Sequence, residues 1–196
     1  MQIIRQSEFK STPWKNGGGI TREAIRVPAS GDPFRWRVSV AHIDQSGPFS
    51  DFAAYNRIMV LLRGGGVALK FSSGEEHQLR KVGDVAEFDG ALATLCELLG
   101  GPCVDLNLMV AKSLTGVHAQ VRRLHQPMAL PSASGRATLV FPIDAALEVR
   151  AAGAAAALEP WDLAVISHDT GRPGMLVPRD DSTGALVFLA TSLPDS

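Results

Sequence analysis

"GPFSDFAAYNRIMVLLRGGGVALKF", Gly47 to Phe71, is followed a short way on by "VGDVAEFDG", Val82 to Gly90. The first stretch holds a Gly-led approach and an apolar run from Arg57 to Arg63. Three consecutive glycines and a second apolar run from Val67 to Phe71 follow. Two β-type runs joined by so glycine-rich a link read as a buried hairpin. The second stretch enters a further strand through Gly-Asp.

Outward from this hairpin the same punctuation continues. "RWRVSVA" (Arg35–Ala41), "ATLCELL" (Ala93–Leu99) and "VDLNLMV" (Val104–Val110) are β-type runs, and "SGDP", "SSGE" and "GGP" supply the turns. "KSLTGVHAQVRRLHQP" breaks the pattern and reads as a connector. Strand signals resume in "RATLVFPI", "ALEVRA", "WDLAVIS", "GMLVP" and "ALVFLATS". Short strands at this spacing predict a sandwich or barrel rather than βαβ units.

Two β-rich halves result, Arg35–Lys112 and Arg136–Ser192. Each leads into a strand through a Gly or Pro and an Asp, in "VGDVAEF" and "EPWDLAVI", a weak internal repeat that favours two related barrels. The Ala-rich "AAGAAAALEP" lies between β-type runs. Gly153 interrupts it and Pro160 stops it, so a tight reversal is expected there rather than a helix. The expected organisation is a first barrel over 1–112, a connector over 113–135 and a second barrel over 136–196, packed as one unit. The class is all-β with little helix.

Composition narrows the function. The chain has 196 residues, 45% of them hydrophobic, and a formal net charge of −1. That is ample for a core, and no basic run offers a nucleic-acid footprint. "MQIIRQSEFK" has no signal-peptide h-region, and no apolar run approaches the ~20 residues that span a bilayer. A cytoplasmic protein without membrane or nucleic-acid partners is expected. Cys96 and Cys103 sit in apolar runs and read as buried free thiols.

"TPWKNGGGITREAI", Thr12 to Ile25, invites a phosphate-binding reading. It fails, because Lys15 precedes the glycines and no apolar strand leads in.

The central hairpin and the Gly-Asp strand form the skeleton of the cupin motifs. Metal cupins place three His and a Glu on facing strands of one barrel around one ion. Here Phe49, Ser50, Phe52 and Tyr55 stand where the first ligands are expected. The five histidines, His42, His77, His118, His125 and His168, are scattered. No metal and no other cofactor is expected.

"PWKNGGGITREAI", "WRVSVAHIDQSGPFSDFAAYNRIMVLLRGGG", "EFDG" and "DLNLMV", in that order from Pro13 to Val110, resemble the HutD/Ves family. The resemblance implies a bicupin fold and a small-molecule-binding or regulatory accessory of histidine catabolism. Its implied ligands are formylated or carboxylate intermediates.

Alternation in "WRVSVA" puts Trp36, Val38 and Val40 on one face and Arg35, Arg37, Ser39 and Ala41 on the other. In "VDLNLMV", Asp105, Asn107 and Met109 share a face. Inward polar side chains need partners, and Arg57 is expected to answer Asp105 with a bidentate pair. The alternative is that Asp105 and Asn107 face solvent. "PWKNGGG" is expected to form a rim over the first barrel. There Lys15 supplies charge, Asn16 a donor and acceptor, Trp14 a wall, and the glycines exposed N–H groups. Its alternative is a crossover in which Trp14 plugs the core.

The expected ligand-binding set is Trp14, Lys15, Asn16, Arg22, Ser39, Arg57, Asp105 and Asn107, and the ligand a small anionic metabolite. A metal-independent isomerase or lyase using Asp105 as base is the alternative. A homodimeric scaffold with a collapsed barrel is the third reading.

Overall fold

A computed structural model describes residues 1–131, 133–168, 173–180 and 182–195. Among these the only helix is one 3-10 turn, Gln6–Glu8, and the strands pair antiparallel throughout. No helix among them is long and apolar enough to cross a membrane. The chain divides into two units, one of Phe9–Thr115 and one of Met1–Glu8 with Gly116–Ser196.

In the first unit a six-stranded sheet runs, in spatial order, Lys10–Pro13, Gly19–Val27, Trp36–Ile43, Cys103–Ala111, Tyr55–Gly64 and Val85–Asp89. A four-stranded sheet runs Gly47–Pro48, Thr94–Leu98, Val67–Phe71 and Glu76–Leu79. Ile43, Met59 and Leu61 of the larger sheet and Val67, Leu69 and Cys96 of the smaller belong to one buried cluster. Apolar side chains at alternate positions of the hairpin strands thus join two sheets through one core, the jelly-roll arrangement of a cupin-type fold.

The second unit repeats this connectivity. His118–Leu124, Ala185–Pro194, Arg136–Pro142 and Leu163–Ser167 adjoin in the order taken by Trp36–Ile43, Cys103–Ala111, Tyr55–Gly64 and Val85–Asp89. Met128–Ala129, Met175–Pro178, Leu147–Ala151 and Ala154–Leu158 make the smaller sheet in matching order. The two "Asp-before-strand" signals do the same local work. Asp84 Oδ2 accepts from the Arg80 and Lys81 N–H groups at 2.8 and 2.9 Å, and Asp162 Oδ2 accepts from the Glu159 N–H at 3.1 Å. Each carboxylate closes the turn that aims its strand.

Three expectations change. The stretch 113–135 is not only a connector, since it supplies His118–Leu124 and Met128–Ala129. The first eight residues belong with the second unit, not the first: Gln2, Ile3 and Ile4 pair with Val165, Ala164 and Leu163. Arg5 and Gln6 anchor this segment on Asp162, through Arg5 Nη1 at 2.6 Å and the Gln6 N–H at 3.0 Å. The Ala-rich reversal is confined to Ala152 and Gly153, both at positive φ, and Ala154–Leu158 is itself a strand.

Candidate functional site

The inner face of the six-stranded sheet carries the site in three rungs. Thr21, Ala41 and Asp105 form one, and Glu23, Ser39 and Asn107 the next. Arg37, Met109 and Arg57 form the third. These side chains, except for their apolar neighbours deeper in the sheet, line an open cavity of about 530 Å3, a volume suited to a small molecule. Thr12, Pro13, Trp14, Lys15 and Asn16 make one part of its wall, and Pro48, Phe49, Ser50 and Phe52 another.

Arg57 is 7% exposed and buried among rings. Its guanidinium carbon lies 5.0 Å from the Phe49 centroid, 5.0 Å from Phe88 and 5.7 Å from Phe52. Arg37 lies 5.3 Å from both Phe52 and Phe34. Cations and rings therefore alternate across the sheet, which partly offsets the loss of water around each charge. Glu23 faces Arg37 at 3.9 Å, and Arg37 Nη2 contacts Met109 Sδ at 3.3 Å.

The bidentate Arg57–Asp105 pair does not form. Asp105 Oδ1 and Arg57 Nε are both buried without a hydrogen-bond partner, as are Asn107 Oδ1 and Arg37 Nε. Burial pushes the Asp105 carboxyl up to about 7, opposed by the Arg57 charge and the Asn107 amide. Burial pushes the Arg57 guanidinium down to about 10, opposed by the Asp105 charge and reinforced by Arg37. Buried polar atoms without partners are rare in folded proteins and costly. Four of them lie on residues that line one cavity.

Of the sequence-expected residues, Trp14, Lys15, Asn16, Ser39, Arg57, Asp105 and Asn107 line this cavity together. Arg22 does not line it, because strand alternation turns it away from the face that carries Thr21 and Glu23. The glycines act differently from expectation. Gly17 adopts φ +72°, and the Gly17 and Gly18 N–H groups are bonded inside the loop to Trp14 O and Asn16 Oδ1. A Cβ on Gly19 would lie 2.3 Å from the His42 carbonyl oxygen. The run thus shapes a turn and a close approach, and it presents no row of N–H donors. Asn16 spends its oxygen on that turn. Trp14 is half-buried, donates from Nε1 to Thr21 Oγ1 at 2.8 Å and meets Phe49 edge-on, so it serves both wall and core.

Sequence reasoning missed Arg37, Glu23, Phe49 and Phe52 as site residues. The period-2 register of Ser39 already contained Arg37. Phe49 and Phe52 occupy positions compared above with metal-ligand slots. The donor set does not suit a metal: no three His, Cys, Asp or Glu side chains cluster among the described residues. Cys96 and Cys103 are free and buried.

A family model described as HutD matches residues 6–183. An uncharacterized 21.2 kDa protein in the hutC 3′ region of Pseudomonas putida is 41% identical over 112 residues, 57% of this chain and 58% of that protein. The chain's matches thus span about half to two thirds of the length of such curated relatives. A conserved protein of unknown function from Pseudomonas aeruginosa superimposes with TM-score 0.86 at 29% identity, covering 97% of each chain. HutD from Pseudomonas fluorescens, solved in a formate condition, does so with TM-score 0.79 at 27% identity, again over 97% of each. Cupin-type structures such as Bacillus subtilis oxalate decarboxylase agree in fold alone, at 10% identity and TM-score 0.65.

Proposed function

The chain belongs to the HutD family, and from that premise we propose that its first unit binds a small anionic metabolite of histidine catabolism. The ligand is a formylated amino acid or another carboxylate, and the protein is a binding or regulatory component that uses no metal. The observation that carries this reading is Arg57, a buried cation with an unpartnered Nε in an aromatic-walled cavity. A carboxylate supplies the acceptor that Asp105 withholds, and charge-assisted bonds of this kind are the strong ones. Lys15 at the rim and Arg37 beside Arg57 add positive potential. The hutC-region name of the Pseudomonas putida relative supports a place in histidine utilisation.

The test is a thermal-shift screen of histidine-pathway intermediates and simple carboxylates. A ligand that binds only the folded state raises the melting temperature with concentration. At least one carboxylate is expected to do so, and Arg57→Met is expected to abolish the shift. If no carboxylate shifts the wild type, the reading is wrong.

Asp105 favours a second reading. A carboxyl held near pH 7 in a cavity suits a general base. On this reading the protein is a metal-independent isomerase or lyase, and turnover of a bound metabolite is lost in Asp105→Asn.

A further inference from the structure

We propose that the first unit takes up one proton, on the Asp105 carboxyl, as it binds its anion, so that affinity for the anion falls as pH rises. The proposal rests on the anion reading above and concerns the regulation of that site. Its ground is a competition between two carboxylates for one buried guanidinium. Arg57 is caged by Phe49, Phe52 and Phe88, whose centroids lie 5.0, 5.7 and 5.0 Å from its guanidinium carbon. Asp105 is 1% exposed and lines the same cavity. Its ionised form is favoured first by the Arg57 charge, then by a bond from the Asn107 amide and one from its own N–H. A ligand carboxylate seated on Arg57 takes over that charge and adds a second negative group beside Asp105. Two carboxylates sharing one cation in a buried site do not both stay ionised.

The proton goes to the carboxyl that burial already pushes up to about 7. It comes from the buffer and binds Asp105 Oδ1, which is buried without a hydrogen-bond partner. An acceptor thereby becomes a donor, and the repulsion between the two carboxylates is gone. The remaining charged or titratable groups around Asp105 are Arg37 on Trp36–Ile43, Glu23 on Gly19–Val27, Cys96 on Thr94–Leu98, Cys103 on its own strand and Lys15 at the rim. Val67–Phe71 and Val85–Asp89 contribute Leu69, Ala86 and Phe88 to the core behind it. Burial pushes both thiols up to about 12, so neither exchanges a proton near pH 7. His42 points to the face of its strand opposite Ala41, the residue beside Asp105. Asp105 is thus the group through which this cavity responds to pH near neutrality.

The experiment is calorimetric titration of the whole chain with formate from about pH 6 to pH 8, at each pH in two buffers of different ionisation enthalpy. The wild-type Kd is expected to rise about tenfold across that range, most of it above about pH 7. The difference in heat between buffers at pH 8 is expected to correspond to about one proton taken up per formate bound. Asp105→Asn keeps the neutral shape and cannot titrate, and its Kd is expected to stay constant to within about twofold over the same range. A wild-type Kd that does not change with pH, or a pH dependence that persists in Asp105→Asn, overturns the proposal and leaves the anion reading standing. The buffer comparison on the wild type decides the matter even if Asp105→Asn fails to fold, since equal heats in both buffers at pH 8 overturn the proposal by themselves. Failure of formate to bind at any pH overturns the anion reading and the proposal with it.

Discussion

Asp105 holds Arg57 in its charged form without touching it at Nε: the carboxylate opposes the burial that lowers the guanidinium, yet Asp105 Oδ1 and Arg57 Nε both stay unbonded. A closed salt bridge would have satisfied both groups and left nothing for a ligand. Keeping them apart retains the attraction and leaves their hydrogen-bonding capacity unspent. Most of what can be tested about the site follows from that separation.

Arg57→Met removes the charge and keeps much of the volume between Phe49, Phe52 and Phe88. Carboxylate binding is expected to weaken by roughly 1.5–3 kcal/mol or more, the range of a bond to a charged group. The urea midpoint is expected to fall as well, because the buried Asp105 carboxyl loses the Arg57 charge that opposes its desolvation. Calorimetric affinity and a urea midpoint check both halves.

Asp105 makes stability fall as pH rises. Its folded value of about 7 stands above the ordinary Asp value of about 3.9. Between those values the folded chain keeps a proton that the unfolded chain has released. The contribution is therefore fully present below about pH 4 and lost as pH climbs through about 7, a total of roughly 4 kcal/mol. Asp105→Asn keeps the neutral shape and cannot titrate. Relative to this variant, the wild type should lose stability between pH 5 and pH 8; a constant difference across that range contradicts the assignment.

Gly19→Ala is expected to destabilise by about 3 kcal/mol or more, because its Cβ meets the His42 carbonyl oxygen at 2.3 Å and backbone must move. Gly17→Asn is expected to cost within about 1 kcal/mol, since the position is open and Asn tolerates a left-handed conformation. Denaturation midpoints of the two variants separate a turn from a ligand-gripping loop.

Cys96 and Cys103 are pushed up to about 12 by burial. Almost no thiolate exists at pH 8, and the thiolate is the reactive species. Native protein is expected to resist Ellman's reagent at that pH, and to release two equivalents only once denaturant unfolds the first unit.

Asp162→Ala is expected to cost about 1–3 kcal/mol. Its side chain is 3% exposed and takes bonds from Arg5, Gln6 and Glu159; removing it leaves two N–H groups without that acceptor, while the half-exposed Arg5 keeps its bond to the Ala157 carbonyl. The loss should appear as faster amide exchange in Gln2–Ile4 and Leu163–Ser167.

Alternation made most of this fold readable. "RIMVLLR", "VALKF" and "VDLNLMV" lie inside strands within one or two residues of their ends. The same period groups Asp105 with Asn107 on one face of their strand and Ser39 with Arg37 on one face of theirs. His118–Leu124 escaped because it is an edge strand, paired among the described residues with Ala185–Pro194 alone, and exposes His118 and Arg122 on one face and Arg123 on the other. Charge on an edge guards against misassociation and hides the strand signal. Gln2–Ile4 escaped because three residues carry no pattern and their partner lies some 160 residues away. Arg22 was misassigned by one position: its neighbour Glu23 has the inward phase. Arg37 was passed over because an inward arginine looks unfavourable until Phe34 and Phe52 are seen on either side of it.

The pairing of Gln2–Ile4 with Leu163–Val165 sets an order of events during synthesis. Phe9–Thr115 is complete on the ribosome before any of its neighbour's central strands exist. Gln2–Ile4 must then wait for Val165, made fifty residues after Thr115. At about 5–20 residues per second that wait lasts some 2–10 s. For that interval Ile3 and Ile4 travel as an unpaired apolar tether ahead of a finished jelly roll. Gln2–Ile4 are thus made before the first unit yet paired only after it, and until then they stay open to chaperones or to a neighbouring nascent copy.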